Sequence, residues 1–202
     1  MKFAHPVYIL ATLALTFTSC TAEETEPDSK LLGTYDLLYM TLKMNTTITS
    51  DTSEGRKKTI YLYDYATQEN TGTFTIRPDR IFADSIGYRI NTIVKVSDYY
   101  NDVAENTQEL EMIPPPFEGI TMSGTYQLIG EDSLYASSGL ISTYNTANPA
   151  RIGMPYGTRF FWSGDTLTFY HRTDTLQHLD APGNPRTRRS VALFSTRYLK
   201  RK

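Results

Sequence analysis

The chain has 202 residues, of which 40% are hydrophobic, and its 20 basic and 22 acidic residues give a formal net charge of -2. This length suffices for one domain with a sizeable core, and the charge balance lacks the basic excess that marks nucleic-acid-binding proteins. Cys20 is the single cysteine in the sequence. It excludes a disulfide framework and a metal site built from several thiolates.

The first residues have the form of a secretory signal. Lys2 precedes an almost uncharged apolar run, residues 3–17, which is shorter than the roughly 20 residues of a bilayer-spanning helix. The run ends in Phe17-Thr18-Ser19-Cys20, which resembles a bacterial lipobox. The resemblance implies cleavage before Cys20, acylation of that residue, and anchoring in the outer membrane on its periplasmic face or at the cell surface. We therefore predict a signal peptide over residues 1–19.

An acidic segment follows the cysteine. Residues 20–30 include Glu23, Glu24, Glu26 and Asp28 and no bulky apolar side chain, so they are predicted to form a solvated tether. The acidic run is similar to the one associated with transfer of Bacteroidetes lipoproteins to the cell surface. A linker that only holds the domain off the membrane is the alternative, and both interpretations remain open at this point.

Strand-like alternation begins at Leu31. In residues 33–42 the side chains alternate with a period of two, which is typical of a β-strand. The polar residues 45–58 are predicted to form a loop, and a second strand is predicted over residues 59–65.

The second strand contains three tyrosines at alternate positions. They are Tyr61, Tyr63 and Tyr65, and they share one face, while Ile60 and Leu62 share the other. We expect the two aliphatic residues to face the core and the tyrosines to cover the outside. A sugar-stacking wall of tyrosines is the alternative.

A unit recurs at residues 72–81, 124–134 and 157–167. Each copy reads Gly-Thr, a short alternating strand, a turn rich in Pro, Gly or Asp, and an aliphatic residue that resumes the alternation. This layout predicts a β-hairpin in each copy. Residues 88–96 predict a further strand, and Pro114-Pro-Pro116 is expected to be a crossing loop within one domain.

The remaining segments are two polar stretches and the C-terminal part of the chain. Residues 97–112 are predicted to form a loop or a short helix, and residues 174–185 a loop. Residues 190–199 predict the last strand. The basic residues between 186 and 202 are expected to be a solvated chain end, with contact to anionic lipid as the alternative.

Short sequences at the predicted strand starts resemble a known family. Leu31-Leu-Gly-Thr-Tyr35, Gly124-Thr-Tyr126 and Gly164-Asp-Thr-Leu167 are similar to the strand starts of lipocalin-like lipoproteins of Bacteroidetes. The strand count, about eight to ten, and the lack of a long amphipathic helix predict an all-β fold. We expect an antiparallel up-and-down meander that closes into a lipocalin-like barrel or curled sheet, as a single domain over residues 31–202.

The sequence contains few residues typical of catalysis. His171 and His178 lie near Asp174 and Asp180, but there is no Gly-x-Ser-x-Gly elbow and no His-Glu-x-x-His helix. We therefore predict a protein that is not an enzyme and that uses no metal or other cofactor.

Two functions from different classes follow. The first is a membrane-anchored cell-envelope lipoprotein acting as a non-catalytic binding or accessory module, for a small apolar or glycan ligand or for envelope protein partners. The alternative is a structural or adhesive β-domain of a surface complex with a filled interior. An eight-stranded barrel can be solid or hold one small ligand. A ligand site is predicted to be lined by Tyr35, Tyr126, Phe161 and Phe169.

A short pattern, Asp-Ser/Thr-apolar, occurs four times. It resembles the acceptor pattern of the general protein O-glycosylation system of Bacteroidetes, and ordinary hairpin exits are the alternative. The candidate acceptors, all expected at turns, are Ser85, Ser133, Thr166 and Thr175.

Overall fold

The computed structural model of the protein describes residues 30–136, 156–181 and 184–202. Within these ranges the regular secondary structure consists of β-strands, without a helix. The strands are β1 (Gly33–Thr52), β2 (Gly55–Ala66), β3 (Gln68–Ile76), β4 (Arg80–Arg89), β5 (Thr92–Tyr100), β6 (Val103–Met112), β7 (Phe117–Ile129), β8 (Ser133–Ala136), β9 (Tyr156–Ser163), β10 (Thr166–Ala181) and β11 (Asn184–Lys200).

Eight of the strands form a closed antiparallel barrel. Their order is β1-β3-β4-β7-β8-β9-β10-β11, and pairing of β11 with β1 closes the ring. This confirms the predicted all-β, lipocalin-like barrel. The meander is interrupted twice, because β2 lies outside the ring between β1 and β3, and β5 and β6 lie outside it between β4 and β7.

Strands β1, β10 and β11 continue beyond the barrel and form a second part of the sheet. Residues 33–36 of β1 pair with β3 in the barrel, whereas residues 41–52 pair with β2. Strand β2 then pairs with β5, and β5 pairs with β6. Six strands in the order β10-β11-β1-β2-β5-β6 therefore form what we call the sheet extension.

The strands give the molecule two distinct ends. At the terminal end, where the described chain starts, the Lys200 ammonium donates to the Lys30 carbonyl oxygen at 2.6 Å. At the distal end, the Arg56 backbone N–H donates to Asn101 Oδ1 at 2.8 Å and joins the β1–β2 turn to the β5–β6 turn. Strand β1 has 20 residues and, at roughly 3.3 Å per residue, spans about 60 Å between the two ends.

Three segments that were predicted to be loops, or for residues 97–112 a loop or a short helix, are strands. Residues 45–58 form the β1–β2 hairpin, most of residues 97–112 belong to β5 and β6, and residues 174–181 extend β10. The prediction was wrong because these strands lie in the sheet extension and need little apolar alternation. Strand β6 is exposed along nearly its whole length, and threonine in β1 supplies the β-branched side chains that strands favour.

The predicted hairpins are confirmed as β3–β4, β7–β8 and β9–β10. The predicted strand at residues 88–96 is divided between two strands, because Tyr88 lies in β4 while Val94 and Val96 lie in β5. Residues 113–116 connect β6, at the free edge of the extension, to β7 in the barrel. The crossing loop predicted at the proline triplet is therefore confirmed.

Aromatic side chains fill the barrel interior near the terminal end. The ring of Phe74 stacks on Tyr198, with ring centroids 4.7 Å apart, and meets the edge of Phe169 at 5.6 Å. Tyr35 and Trp162 approach each other to 6.0 Å. Aromatic pairs at these separations stabilise a core beyond the area that they bury. This part of the barrel is therefore packed with side chains.

Candidate functional site

Tyr35 and Tyr126, two of the residues predicted to line a ligand site, are held by backbone groups. Tyr35 is fully buried, with 0% of its surface exposed, and its hydroxyl donates to the Leu31 carbonyl oxygen at 2.5 Å. The Tyr126 hydroxyl donates to the Arg77 carbonyl oxygen at 2.9 Å. Burial raises the pKa of both phenols. Both hydroxyls therefore satisfy backbone acceptors.

Phe161 and Phe169 lie on opposite sides of the barrel wall. Phe169 is buried in the aromatic core and pairs across the strands with Phe160, whereas Phe161 pairs with Thr168 and is 52% exposed. The expectation that Phe161 lines the interior is thus wrong. Residues 160–162 form an unbroken aromatic run, so alternation within β9 does not show which of them points inward.

The sheet extension continues the interior side of the barrel as a broad face. A bulge in β1 between Leu37 and Tyr39 changes the inward positions from odd to even numbers, so Met40 and Leu42 follow the buried Tyr35. Residues directly opposite each other on antiparallel strands share a face. We call the surface formed in this way on β2, β1, β11 and β10 the tyrosine face. Its three central rows are Tyr63, Met44, Ala192 and Thr173; Tyr61, Thr46, Ser190 and Thr175; and Thr59, Ile48, Arg188 and Gln177.

The tyrosines of β2 lie on this inward face, contrary to the expectation. Leu62, expected in the core, is 41% exposed, and Ile60 shares its outward side. Tyr61, Tyr63 and Tyr65 are half-buried. Burial raises the pKa of Tyr65 to about 12, with a smaller contribution from Tyr63. The sequence indicated correctly that the tyrosines share a face, but not which face it is.

Small hydroxyl residues form the floor between the tyrosines and β10. Thr46 is buried, and its hydroxyl is 3.0 Å from the Ser190 hydroxyl. The Thr175 hydroxyl donates to the Ser190 carbonyl oxygen at 3.5 Å. A hydroxyl group has one donor and two acceptor positions, so this floor keeps hydrogen-bonding capacity.

Arg188 lies on the tyrosine face, opposite Ile48 of β1 and Gln177 of β10. Its Nε atom is buried and has no hydrogen-bond partner. The positive charge acts on Tyr63: burial and Tyr61 raise the pKa of the Tyr63 phenol, and Arg188 opposes them by lowering it. The guanidinium therefore lies close enough to the tyrosine row to influence its ionisation.

The opposite face of the same strands carries paired charges. Arg189 donates to both carboxylate oxygens of Asp174, at 3.0 and 2.7 Å, and Lys43 lies 3.2 Å from Asp64. The hydrogen bonds from Arg189 lower the pKa of the Asp174 carboxyl. The basic residues of β11 are thus divided between two faces, and the expectation of a solvated chain end is wrong.

The charged side chains that the four strands place on the tyrosine face are basic. Among the described residues of these strands they are Lys57, Arg186 and Arg188. On the next strand, β5, Asp98 lies opposite Thr59 and accepts a hydrogen bond from its hydroxyl at 2.7 Å. Alternation along β11 would have placed Arg186 and Arg188 together. That they share a face with the tyrosines could not be predicted from the sequence, because it depends on β11 and β2 lying on either side of β1.

The two histidines do not converge. His171 lies on the inward side of β10, with Nδ1 2.8 Å from the Gly157 carbonyl oxygen. The difference between the two residue numbers is odd, which places His178 among the outward positions. The part of the chain that the structure describes contains no group of three or more metal-ligating side chains. Asp174 is bound by Arg189 on the outward side.

The candidate glycosylation residues occupy different environments. Ser133 and Thr166 begin β8 and β10 directly after turns. Ser85 is exposed at an irregular position of β4 with a φ of 51°. Thr175 lies within β10 on the tyrosine face, so the expectation that it sits at a turn is wrong.

The predicted anchor lies outside the described residues. Cys20, the signal over residues 1–19 and nearly all of the tether precede residue 30. Residues 30–136, 156–181 and 184–202 contain no helix with the length and hydropathy of a membrane span.

Comparison of the chain with protein-family models, with curated proteins and with solved structures found no match.

Proposed function

We propose that the protein is a lipid-anchored, non-catalytic binding module of the bacterial outer membrane, and that its ligand binds the tyrosine face. The observation that carries this proposal is the half-exposed row of Tyr61, Tyr63 and Tyr65 on the same face as Arg188, whose buried Nε atom has no hydrogen-bond partner. Aromatic rings with polar tips and a few well-placed polar groups are typical of ligand-binding surfaces.

The packing of the barrel supports a site on the extension rather than deep in the barrel. Phe74, Phe169 and Tyr198 are buried and in ring contact where the ligand site was predicted. Aromatic side chains here stabilise the fold, whereas those on β2 remain partly accessible to solvent.

The position of the anchor supports the same surface. The tether would enter the domain at Lys30, at the terminal end, and Lys30 lies ten positions after Cys20. Fully extended, ten residues span at most about 35 Å. Ile48 lies 13 residues beyond Tyr35 on β1, about 40 Å further along the strand at roughly 3.3 Å per residue. The tether would therefore hold the terminal end near the membrane and leave the tyrosine face accessible.

The anchor is tested by fractionation of cells that express the full chain. Cys20→Ser should leave the membrane fraction or accumulate as an uncleaved precursor, because several acyl chains bind a membrane far more tightly than one. Ser29→Ala, in the tether, is the control and should stay membrane-bound. Membrane retention of the cysteine variant as strong as that of the control would contradict lipidation.

Protease accessibility on intact cells tests whether the acidic tether directs the domain to the cell surface. Replacement of Glu23, Glu24 and Glu26 by Ala should remove protease accessibility on intact cells if the run is an export signal. Unchanged accessibility would show that the run is a linker.

Native mass spectrometry of the lipidated protein from its own host tests the binding role. A dissociable ligand or partner should be retained by the unmodified protein and lost from the double variant Tyr61→Ala and Tyr63→Ala. A structural or adhesive β-domain is the second candidate function, favoured by the filled aromatic core. Absence of any specific ligand or partner, with the tyrosine variant unchanged, would favour that second function.

A further inference from the structure

The Nε atom of Arg188 is the starting point for a more specific inference about the ligand. Buried polar atoms in folded proteins nearly always have a hydrogen-bond partner, and a buried group of a charged side chain without one is costly. Nε of Arg188 is buried and has none. Rotation of the Arg188 side chain toward the surface would let a ligand supply the missing acceptor.

Arg189, the next residue, shows how this chain satisfies a guanidinium when no ligand is involved. It forms a bidentate pair with Asp174 on the outward face. The described residues that β2, β1, β11 and β10 contribute to the tyrosine face include no carboxylate, and Asp98 of the neighbouring strand β5 already accepts a hydrogen bond from the Thr59 hydroxyl at 2.7 Å. The missing acceptor is therefore expected to be an anion.

The geometry of the guanidinium indicates which class of anion suits Arg188. Nε and one terminal nitrogen present two parallel N–H groups, which match the two coplanar oxygens of a carboxylate. Because Arg188 acts on the phenol of Tyr63, an anion bound by Arg188 would lie beside the tyrosine row.

The side chains around Arg188 indicate the chemistry of the remaining part of the ligand. Tyr61 and Tyr63 offer ring faces and hydroxyls, and the neighbouring floor contains Thr46, Thr175 and Ser190. Hydroxyl groups on the floor suit a ligand that itself carries many hydroxyls better than they suit an acyl chain. A saturated ring that carries hydroxyls and a carboxylate meets each of these conditions.

We propose that the tyrosine face binds an acidic sugar, a pyranose ring that carries a carboxylate, with the carboxylate on Arg188 and the ring against Tyr61 and Tyr63. This inference rests on the proposed function, since it names the ligand class of the same surface. Arg186 and Lys57 lie on the same face and add long-range attraction for an oligosaccharide with several carboxylates.

The inference is tested with the full-length lipidated protein in detergent micelles. Isothermal titration calorimetry is performed with an oligogalacturonate and with a neutral galactose oligosaccharide of the same length. The acidic oligosaccharide should bind, more weakly as salt increases, and the neutral one should bind at least about tenfold more weakly, because the hydrogen bonds to the charged group are lost.

Three variants assign the binding to Arg188. Arg188→Gln should weaken binding of the acidic sugar by about tenfold or more, and Arg188→Lys, which keeps the charge but loses the two parallel donors, should also weaken it. Arg189→Gln is the matched control, one residue away on the outward face, and should bind like the unmodified protein. Equal weakening by Arg189→Gln would overturn the assignment.

Thermal unfolding separates ligand recognition from a structural role. If the unpaired Nε awaits a ligand, Arg188→Gln should unfold at the same temperature as the unmodified protein or at a higher one, because a buried unpaired group is removed. A markedly lower unfolding temperature would show that Arg188 supports the fold, and would overturn the inference.

The remaining outcomes distinguish the inference from the proposed function. Equal binding of neutral and acidic oligosaccharides, lost when Tyr61 and Tyr63 become Ala, would overturn the acidic-sugar assignment and leave the proposed function intact. Binding of a sugar phosphate but not of the uronate would overturn the choice of carboxylate. If no oligosaccharide binds, the inference is wrong, and the native mass measurement decides the proposed function separately.

Discussion

The neighbouring residues Phe160 and Phe161 allow a direct test of which side of β9 faces the core. Phe160 is 9% exposed and contacts Phe169 at 6.2 Å between ring centroids, whereas Phe161 is 52% exposed. The same chemical change, Phe→Ala, is therefore expected to have different effects at adjacent positions of one strand.

The expected magnitudes follow from burial. Removing a buried Phe side chain costs about 3–5 kcal/mol, through lost transfer energy and a cavity, so Phe160→Ala should lower the free energy of unfolding by that amount. Full burial of a Phe side chain is worth about 1.5–3 kcal/mol. Phe161 is only half covered, so Phe161→Ala should cost about 1 kcal/mol.

Urea unfolding of the domain from residue 21 onwards measures the difference. With an m-value of about 2–3 kcal/mol/M, the midpoint should fall by about 1–2 M for Phe160→Ala and by less than about 0.5 M for Phe161→Ala. Equal shifts, or a larger shift for Phe161→Ala, would refute the assignment of the inward face.

Three further predictions concern stability and modification. Gly72→Ala should be far more destabilising than Gly164→Ala, although both glycines have positive φ. A Cβ atom at Gly72 would lie 2.5 Å from the Ser85 carbonyl oxygen, whereas at Gly164 it would meet no atom within 4 Å. Urea unfolding should show a loss of stability of about 1–2 kcal/mol for Gly164→Ala and a clearly larger loss for Gly72→Ala. Burial raises the pKa of Tyr65 to about 12 from an ordinary value of 10.0, so its contribution to stability should be fully present below about pH 10 and be lost between about pH 10 and 12, where the unfolded chain loses this proton first. The stability of Tyr65→Phe should decline less over that range, and an identical decline would contradict the burial of this phenol. Intact mass of the native protein should exceed that of the lipidated polypeptide by sugar increments that disappear when all four candidate acceptors become Ala, and a mass equal to lipid plus polypeptide would rule out glycosylation at Ser85, Ser133, Thr166 and Thr175.

Sequence patterns predicted the local units of this fold well. The hairpins at residues 72–81, 124–134 and 157–167 were recognised because each turn and its flanking alternation lie within about ten consecutive residues, and turn chemistry is local. The proline triplet likewise marked the crossing from β6 to β7. From these units the antiparallel all-β class followed.

The sheet extension was not predicted, since its strands are stabilised by pairing with distant parts of the chain. Residues 45–58 and 174–181 are polar, and only their register with β11 and with each other makes them strands. Thr46 pairs with Ser190, 144 residues away. Pairing over such separations leaves no signal in a short window of sequence.

The sequence by itself determined which residues share a face, because side chains in a strand alternate with a period of two. It grouped Tyr61 with Tyr63, and the alternation of β11 groups Arg186 with Arg188. Only the tertiary structure decided that both groups face inward, and that they lie on either side of β1. The physical reason is that which face is buried depends on the strands that pair across the sheet and on the bulge after Leu37, not on the residues of one strand.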